Sequence, residues 1–225
     1  MTDSASHLRP GLLPVELLLI AGIFFADEQG YIPLSKTPVL LIVAWGSMWL
    51  RGVAWRDAGL SLPPRWPRLA AIGVVAGVAM WLFEFFVEMP LLHRILGYWP
   101  DLSYFDDLVG SVELLFIYLA LNWVLAAFGE EMVWRGYALP RVAQFCGSGM
   151  RAWVIALIVV NLGFGLAHLY QGPSGIVQAT VAGSLLGVLY LATGRNLVAP
   201  ILAHGISNSI DFTVMYLGLY PGVGG

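Results

Sequence analysis

The stretch Phe128–Arg141, FGEEMVWRGYALPR, decides how the rest of the chain is read. It closes an apolar run, Val112 to Phe128, that reads as a membrane helix. Into that run it sets two adjacent carboxylates, Glu130 and Glu131, and then Arg135. Ionisable side chains in mid-membrane cost roughly 2.5–3.5 kcal/mol each on the insertion scale, so they are rare and usually functional. Glu131 and Arg135 are four residues apart with the acid first, the favourable order for a pair on one helix face. Glu130 points about 100° away at 3.6 residues per turn, which leaves it for another task. The competing reading makes all three interfacial charges that snorkel to water from a helix end.

Working outward, composition sets the class. Of 225 residues, 59% are hydrophobic and 11% charged, with a mean hydropathy of +0.79. A soluble domain carries about 25% charged residues. The long apolar runs fit helices rather than the alternating segments of a barrel. The expectation is an all-α, polytopic membrane helix bundle forming a single integral membrane domain over 1–225, with the motif-bearing core at about 112–219. A net charge of −3 gives no basic patch and no case for nucleic acid. The single cysteine, Cys146, rules out an intramolecular disulfide and a cysteine-rich metal site.

In chain order, helices are expected at about Leu12–Ala26, Pro38–Leu50, Leu69–Leu92, Val112–Leu139, Ala152–Leu169, Ile176–Thr193 and Leu197–Leu219. That makes seven spans, with room for an eighth inside 93–111, and a loose tail after Pro221. The first run follows Arg9 as in a signal sequence but lacks an A-x-A site, so it reads as an uncleaved helix. The linker Arg51–Arg68 holds four arginines, which places it and the N-terminus in the cytoplasm under the positive-inside rule. The acidic 27–37 and 93–111 segments then lie outside, in a multi-pass protein expected in a prokaryotic plasma membrane.

Two more polar constellations lie on later helices. The segment NLGFGLAH holds Asn161, Phe164 and His168; LAHGISN holds His204 and Asn208, with Asp211 a turn further. Phe164 and His168, like His204 and Asn208, are i, i+4 and share a face. A lone histidine in an apolar helix is commonly a hydrogen-bonded packing residue. Two of them, with an asparagine and two glutamates on three helices, are cheapest when turned toward one wet interior cavity. Glu130 is ~16 Å and His204 ~14 Å from the arginines at the inner flank, but His168 is ~25 Å from Arg151 at 1.5 Å per residue. That mismatch calls for a helix starting below the interface, a break near Gly163 and Gly165, or a different topology.

A carboxylate and a histidine in such a cavity can activate water. An imidazole and an amide one turn apart can aim N–H donors at an oxyanion. The residue types therefore fit acyl hydrolysis, with Glu130 as base, His168 holding water, and His204 with Asn208 stabilising the tetrahedral intermediate. Glu131 and Arg135 would be structural.

Glu130-Glu131-x3-Arg135, Phe164-x3-His168 and His204-x3-Asn208, in that order, resemble the three-motif signature of the CPBP family. These are the CAAX-prenyl-protease and bacteriocin-processing intramembrane proteases, also called Abi proteins. Asp57-Ala58-Gly59-Leu60 also resembles a stretch common upstream in that family. The resemblance implies a glutamate-type intramembrane peptidase cutting near the cytoplasmic face, with the same roles for the four polar residues. Its implied partners are a peptide or protein substrate, lipidated or membrane-anchored, and membrane lipid.

The expectation is no metal and no cofactor. The alternative is zinc held by Glu130, His168 and His204, although H-E-x-x-H is absent. Other readings are a non-catalytic scaffold, immunity or regulatory protein on the same fold, and a proton path using Glu84 and Glu88. Gly172-Pro173-Ser174-Gly175 also matches the G-x-S-G of rhomboid serine proteases; the simpler reading is a Gly-Pro turn with Ser174 capping a helix.

Overall fold

The structure, a computed structural model, describes residues 12–33, 35–147 and 149–224. The stretch around Arg9 lies outside them. Seven helical segments follow one another among the described residues: α1 Leu13–Glu28, α2 Thr37–Leu50, α3 Trp66–Leu96, α4 Val112–Phe145, α5 Met150–Leu166, α6 Gly172–Ala192 and α7 Val198–Tyr216. No strand occurs among those residues. Three stretches are long and apolar enough to cross a membrane: Trp66–Leu96, Val112–Phe145 and Leu169–Ala192. Shorter apolar helices lie at Leu18–Asp27, Thr37–Leu50 and Met150–Leu166. The 93–111 segment holds the end of α3 at Leu96 and the 3-10 turn Ser103–Leu108, so no eighth long helix lies there.

The helices begin where the local chemistry allows. Pro38, Pro67 and Pro173 occupy first turns, where a missing N–H costs nothing. The Ser111 hydroxyl accepts a hydrogen bond from Leu114 N and caps α4. Pro90 and Pro140 lie deeper, inside α3 and α4. Each cannot donate to the preceding turn and crowds a carbonyl there. Just ahead of each, the backbone widens into π-helical turns, at Glu84–Glu88 and Met132–Ala138. A further π-helical stretch, Asn122–Glu130, leads up to the acidic pair.

The polar helix α7 is held at the centre. Gly73 and Gly77 of α3 meet Ala199 and Ala203 of α7 backbone to backbone. A Cβ added at Gly73 would lie 2.7 Å from the Ala199 oxygen, and one at Gly77 2.6 Å from the Ala203 oxygen. This is the small-residue seam of membrane helix pairs, where dispersion replaces the hydrophobic effect. From the other side, Asn122 of α4 donates through Nδ2 to Gly205 O (2.9 Å) and Ser209 Oγ (3.1 Å).

One end of the bundle gathers the 51–65 linker, the α4–α5 turn and the α6–α7 turn. Leu197 N donates to Gly59 O (3.0 Å), Tyr190 OH to Ala58 O (3.1 Å) and Asn196 Nδ2 to Ser61 O (3.0 Å). Gly59 has φ +103°, and a Cβ there would collide with the Arg195 carbonyl, so Asp57-Ala58-Gly59-Leu60 is a docking turn. The opposite end gathers 29–36, 97–111 and the turn after α5. There Asp101 N donates to Gln171 O (3.1 Å), and Gly110 N to Tyr216 O (2.9 Å).

Two expectations change. The tail is not loose through Gly224: Tyr220 and Val223 pack with Met89, Leu108 and Met215, and Gly224 N donates to Asp106 Oδ1 (2.9 Å). Arg51 is not a surface charge of the linker. It is buried against Glu16 and Ser47, because α1 brings a carboxylate to the end of α2. Glu84 and Glu88, the acids of the proton-path reading, are drawn into the packing of α3. Glu88 is buried, and Glu84 Oε1 accepts from Tyr220 OH at 3.3 Å.

Candidate active site

The π-helical turns of α4 set the acidic pair. Glu131 and Arg135 form a buried ion pair, Nη1 to Oε1 2.7 Å, with side-chain exposures of 0% and 1%. Arg135 is further satisfied by Gly183 O (2.7 Å) and Asn161 Oδ1 (3.4 Å), and its guanidinium carbon sits 4.8 Å from the centre of the Phe164 ring. Only glycine fits at 183, where a Cβ would lie 2.7 Å from Phe164 Cδ1. So Glu131 and Arg135 are not snorkelling charges. They tie α4 to α5 and α6.

Glu131 Oε1 also meets His204 Nδ1 at 2.9 Å. Facing a carboxylate, that nitrogen must carry the proton. His204 Nε2 is then the proton-free nitrogen of the neutral ring. Asn208 lies one turn further along α7, half-buried.

His168 sits beyond the end of α5, which stops at Leu166. A turn carries it, with Ala167 and His168 amides bonded to Gly163 and Gly165 carbonyls. Its Nδ1 lies 2.9 Å from Phe164 O, which can only accept. That bond fixes the tautomer: Nδ1 holds the proton and Nε2 the lone pair. The depth mismatch resolves here, since His168 belongs to the end of α5 opposite Arg151.

Glu130 and His168 line one cavity of about 500 Å³, with Phe164, Trp134 and Asn122 in its wall. Glu130 is half-buried and has no hydrogen-bond partner among the described residues. Lys36, Tyr104 and Tyr170 also line the cavity, and the exposed Tyr104 and Tyr170 mark where it meets the surface. Lys36 Nζ pairs with Asp27 Oδ2 at 2.6 Å and lies 5.8 Å from the Tyr170 ring centre. His204 is not on this wall. It sits behind Phe164, ring centres 6.4 Å apart, while Phe164 and His168 are 4.8 Å apart. Glu84 and Glu88 do not line the cavity either, which removes the geometry a proton path through it would need.

The sequence reading missed Asn122, Lys36, Tyr104 and Tyr170. Asn122 could have been found as the one amide in the apolar run of α4; the others had no sequence signal. Among the described residues, no three His, Cys, Asp or Glu side chains come together as a set that could hold a metal ion, so Glu130, His168 and His204 do not form one.

Ser174 does not cap a helix. It is buried in the first turn of α6, which starts at Gly172, while His204 is engaged with Glu131. Ser174→Ala is therefore expected to leave any peptide cleavage unchanged, measured as product formed per mole of purified protein.

Comparison with known proteins bears on the same segment. Residues 112–210 match the family described as Type II CAAX prenyl endopeptidase Rce1-like. A protein of Rattus norvegicus named CAAX prenyl protease 2 is 32% identical over 98 residues, 44% of this chain and 29% of that protein. The chain thus matches less than a third of that relative's length. No solved structure matches. The matched segment is the one that builds the acidic pair, the His168 turn and the His204 helix, and it is similar to the Rce1-like Type II CAAX prenyl endopeptidases.

Proposed function

We propose that the chain is an intramembrane endopeptidase that hydrolyses a peptide bond of a lipidated or membrane-anchored polypeptide with activated water. The observation that carries this reading is the wall shared by Glu130, which has no hydrogen-bond partner among the described residues, and His168, whose Nδ1 is held by Phe164 O so that Nε2 keeps its lone pair. The name of the rat relative, CAAX prenyl protease, agrees with a substrate of that class.

Glu130 takes a proton from water while His168 Nε2 accepts the water's second hydrogen as a hydrogen bond. The hydroxyl oxygen bonds to the scissile carbonyl carbon, and the carbonyl electrons move to its oxygen. The Asn208 amide donates toward that oxyanion from the α7 side, and His204, behind Phe164 and bonded to Glu131, holds that face of α7 in place. Glu130 then returns its proton to the leaving amine as the C–N bond breaks. An oxyanion donor is worth about a hundred- to a thousandfold where measured. Glu131 holds His204 by Nδ1 and Arg135 holds Glu131, so both are positioning residues. This scheme uses no metal.

The test uses purified protein in detergent with prenylated and unprenylated peptides, read by mass spectrometry with and without chelator. Cleavage by wild type that persists in chelator and is lost in Glu130→Gln and His168→Ala is the expected result. Loss in chelator restored by zinc would overturn the metal-free scheme. Motif-independent cleavage, or none with any peptide, would favour the scaffold reading.

A further inference from the structure

The expectations of a cytoplasmic N-terminus and of cleavage near the cytoplasmic face exclude each other in this fold. The cavity mouth, with Lys36, Tyr104 and Tyr170, lies at the end of the bundle that holds 29–36, 97–111 and the turn after α5. The linker and the α4–α5 and α6–α7 turns lie at the other end. That end carries Arg56, Arg65, Arg68, Arg151 and Arg195, all exposed, and half-buried Arg141, against the single acid Asp57. The mouth end carries Lys36 and Arg94 against Asp27, Asp101, Asp106, Asp107 and Glu113. Lys36 is already paired with Asp27.

Lys and Arg in short loops set the orientation of a polytopic protein, and Asp and Glu count for little. The bias survives removal of Arg51, which is buried with Glu16 and no longer counts as a loop charge. We infer that the catalytic cavity opens on the extracytoplasmic side of the membrane, and that its substrate is an exported polypeptide tethered in the membrane and presented from that side. This rests on the peptidase reading for the substrate, and on the fold and its charges alone for the orientation. A cavity reaching Glu130 from the mouth end receives a chain descending from outside. A tail displayed on the cytoplasmic leaflet would meet the arginine end, whose pocket between the linker and the α4–α5 turn is not lined by Glu130.

The experiment has two arms on the full chain in the plasma membrane of bacterial spheroplasts. In the first, a membrane-impermeant maleimide is applied before and after permeabilisation. Native Cys146 is exposed at the arginine end and serves as its own reporter. Asp107→Cys in a Cys146→Ser background reports the mouth end without touching the cavity wall. The expected result is labelling of D107C in intact spheroplasts and of Cys146 only after permeabilisation; the reverse pattern overturns the inference.

The second arm co-expresses two single-span reporters that present the same cleavable peptide on opposite sides. Cleavage of the outer reporter alone, lost in Glu130→Gln, supports the substrate assignment, and cleavage of the inner reporter alone overturns it. If neither is cut while D107C labels from outside, the orientation stands and the peptidase reading is what fails.

Discussion

Glu130→Gln is expected to lower kcat/KM by about a hundred- to ten-thousandfold, the range supplied by a positioned general base. In free energy that is about 3–5 kcal/mol of transition-state stabilisation. Stability should not follow. Glu130 makes no hydrogen bond or ion pair among the described residues, so its amide isostere breaks no direct contact and removes only a longer-range charge interaction with Arg135 and His168. The thermal midpoint in detergent should stay at the wild-type value while peptide turnover collapses. A variant that loses midpoint and activity together would show that the carboxylate holds the structure instead.

Glu131→Ala is expected to fail in the opposite order. Arg135 is 1% exposed, and its carboxylate partner also receives His204. Breaking a buried pair from one side leaves an uncompensated charge and costs about 3–5 kcal/mol. The midpoint should fall steeply, with activity lost because the protein is no longer folded at assay temperature. A control separates charge from packing: Glu131→Leu combined with Arg135→Met removes both charges and should recover much of the midpoint, since apolar replacements of buried pairs are often neutral. That double variant should still be inactive, because His204 has lost the carboxylate that orients it. Recovery of stability and activity together would sink the positioning role of Glu131.

The helices were legible because a membrane leaves few options: apolar runs broken by charged or Gly-Pro turns map onto segments in order. Their details were not. The π-helical turns were written in Pro90 and Pro140, but a uniform 3.6-residue period hides them. Charge alone read Arg51 as a surface residue, although a partner 35 positions away on α1 takes it inside. The same blindness to distant partners hid the Tyr220 hydroxyl that Glu84 accepts from. At the site, Glu130 and His168 stood out because charge and imidazole are expensive in hydrocarbon. Lys36, Tyr104 and Tyr170 did not, because such residues are ordinary in loops, and only folding brings those loops over the cavity. His204 was expected on the wall and sits behind Phe164. The i, i+4 rule assigns a face to a helix but not the neighbour that shields it.

The seam of Gly73 and Gly77 against Ala199 and Ala203 sets the bundle's mechanical tolerance. With backbone against backbone there is no compliant side chain to absorb an error, and Ala203 immediately precedes His204. One extra methyl group at position 77 would act as a shim, displacing the imidazole from outside any reach of substrate. Variation at these positions should therefore surface as slow enzymes before it surfaces as unfolded ones. In a population of related chains, the seam would be policed by turnover, while the lipid-facing side of the same helix drifts freely.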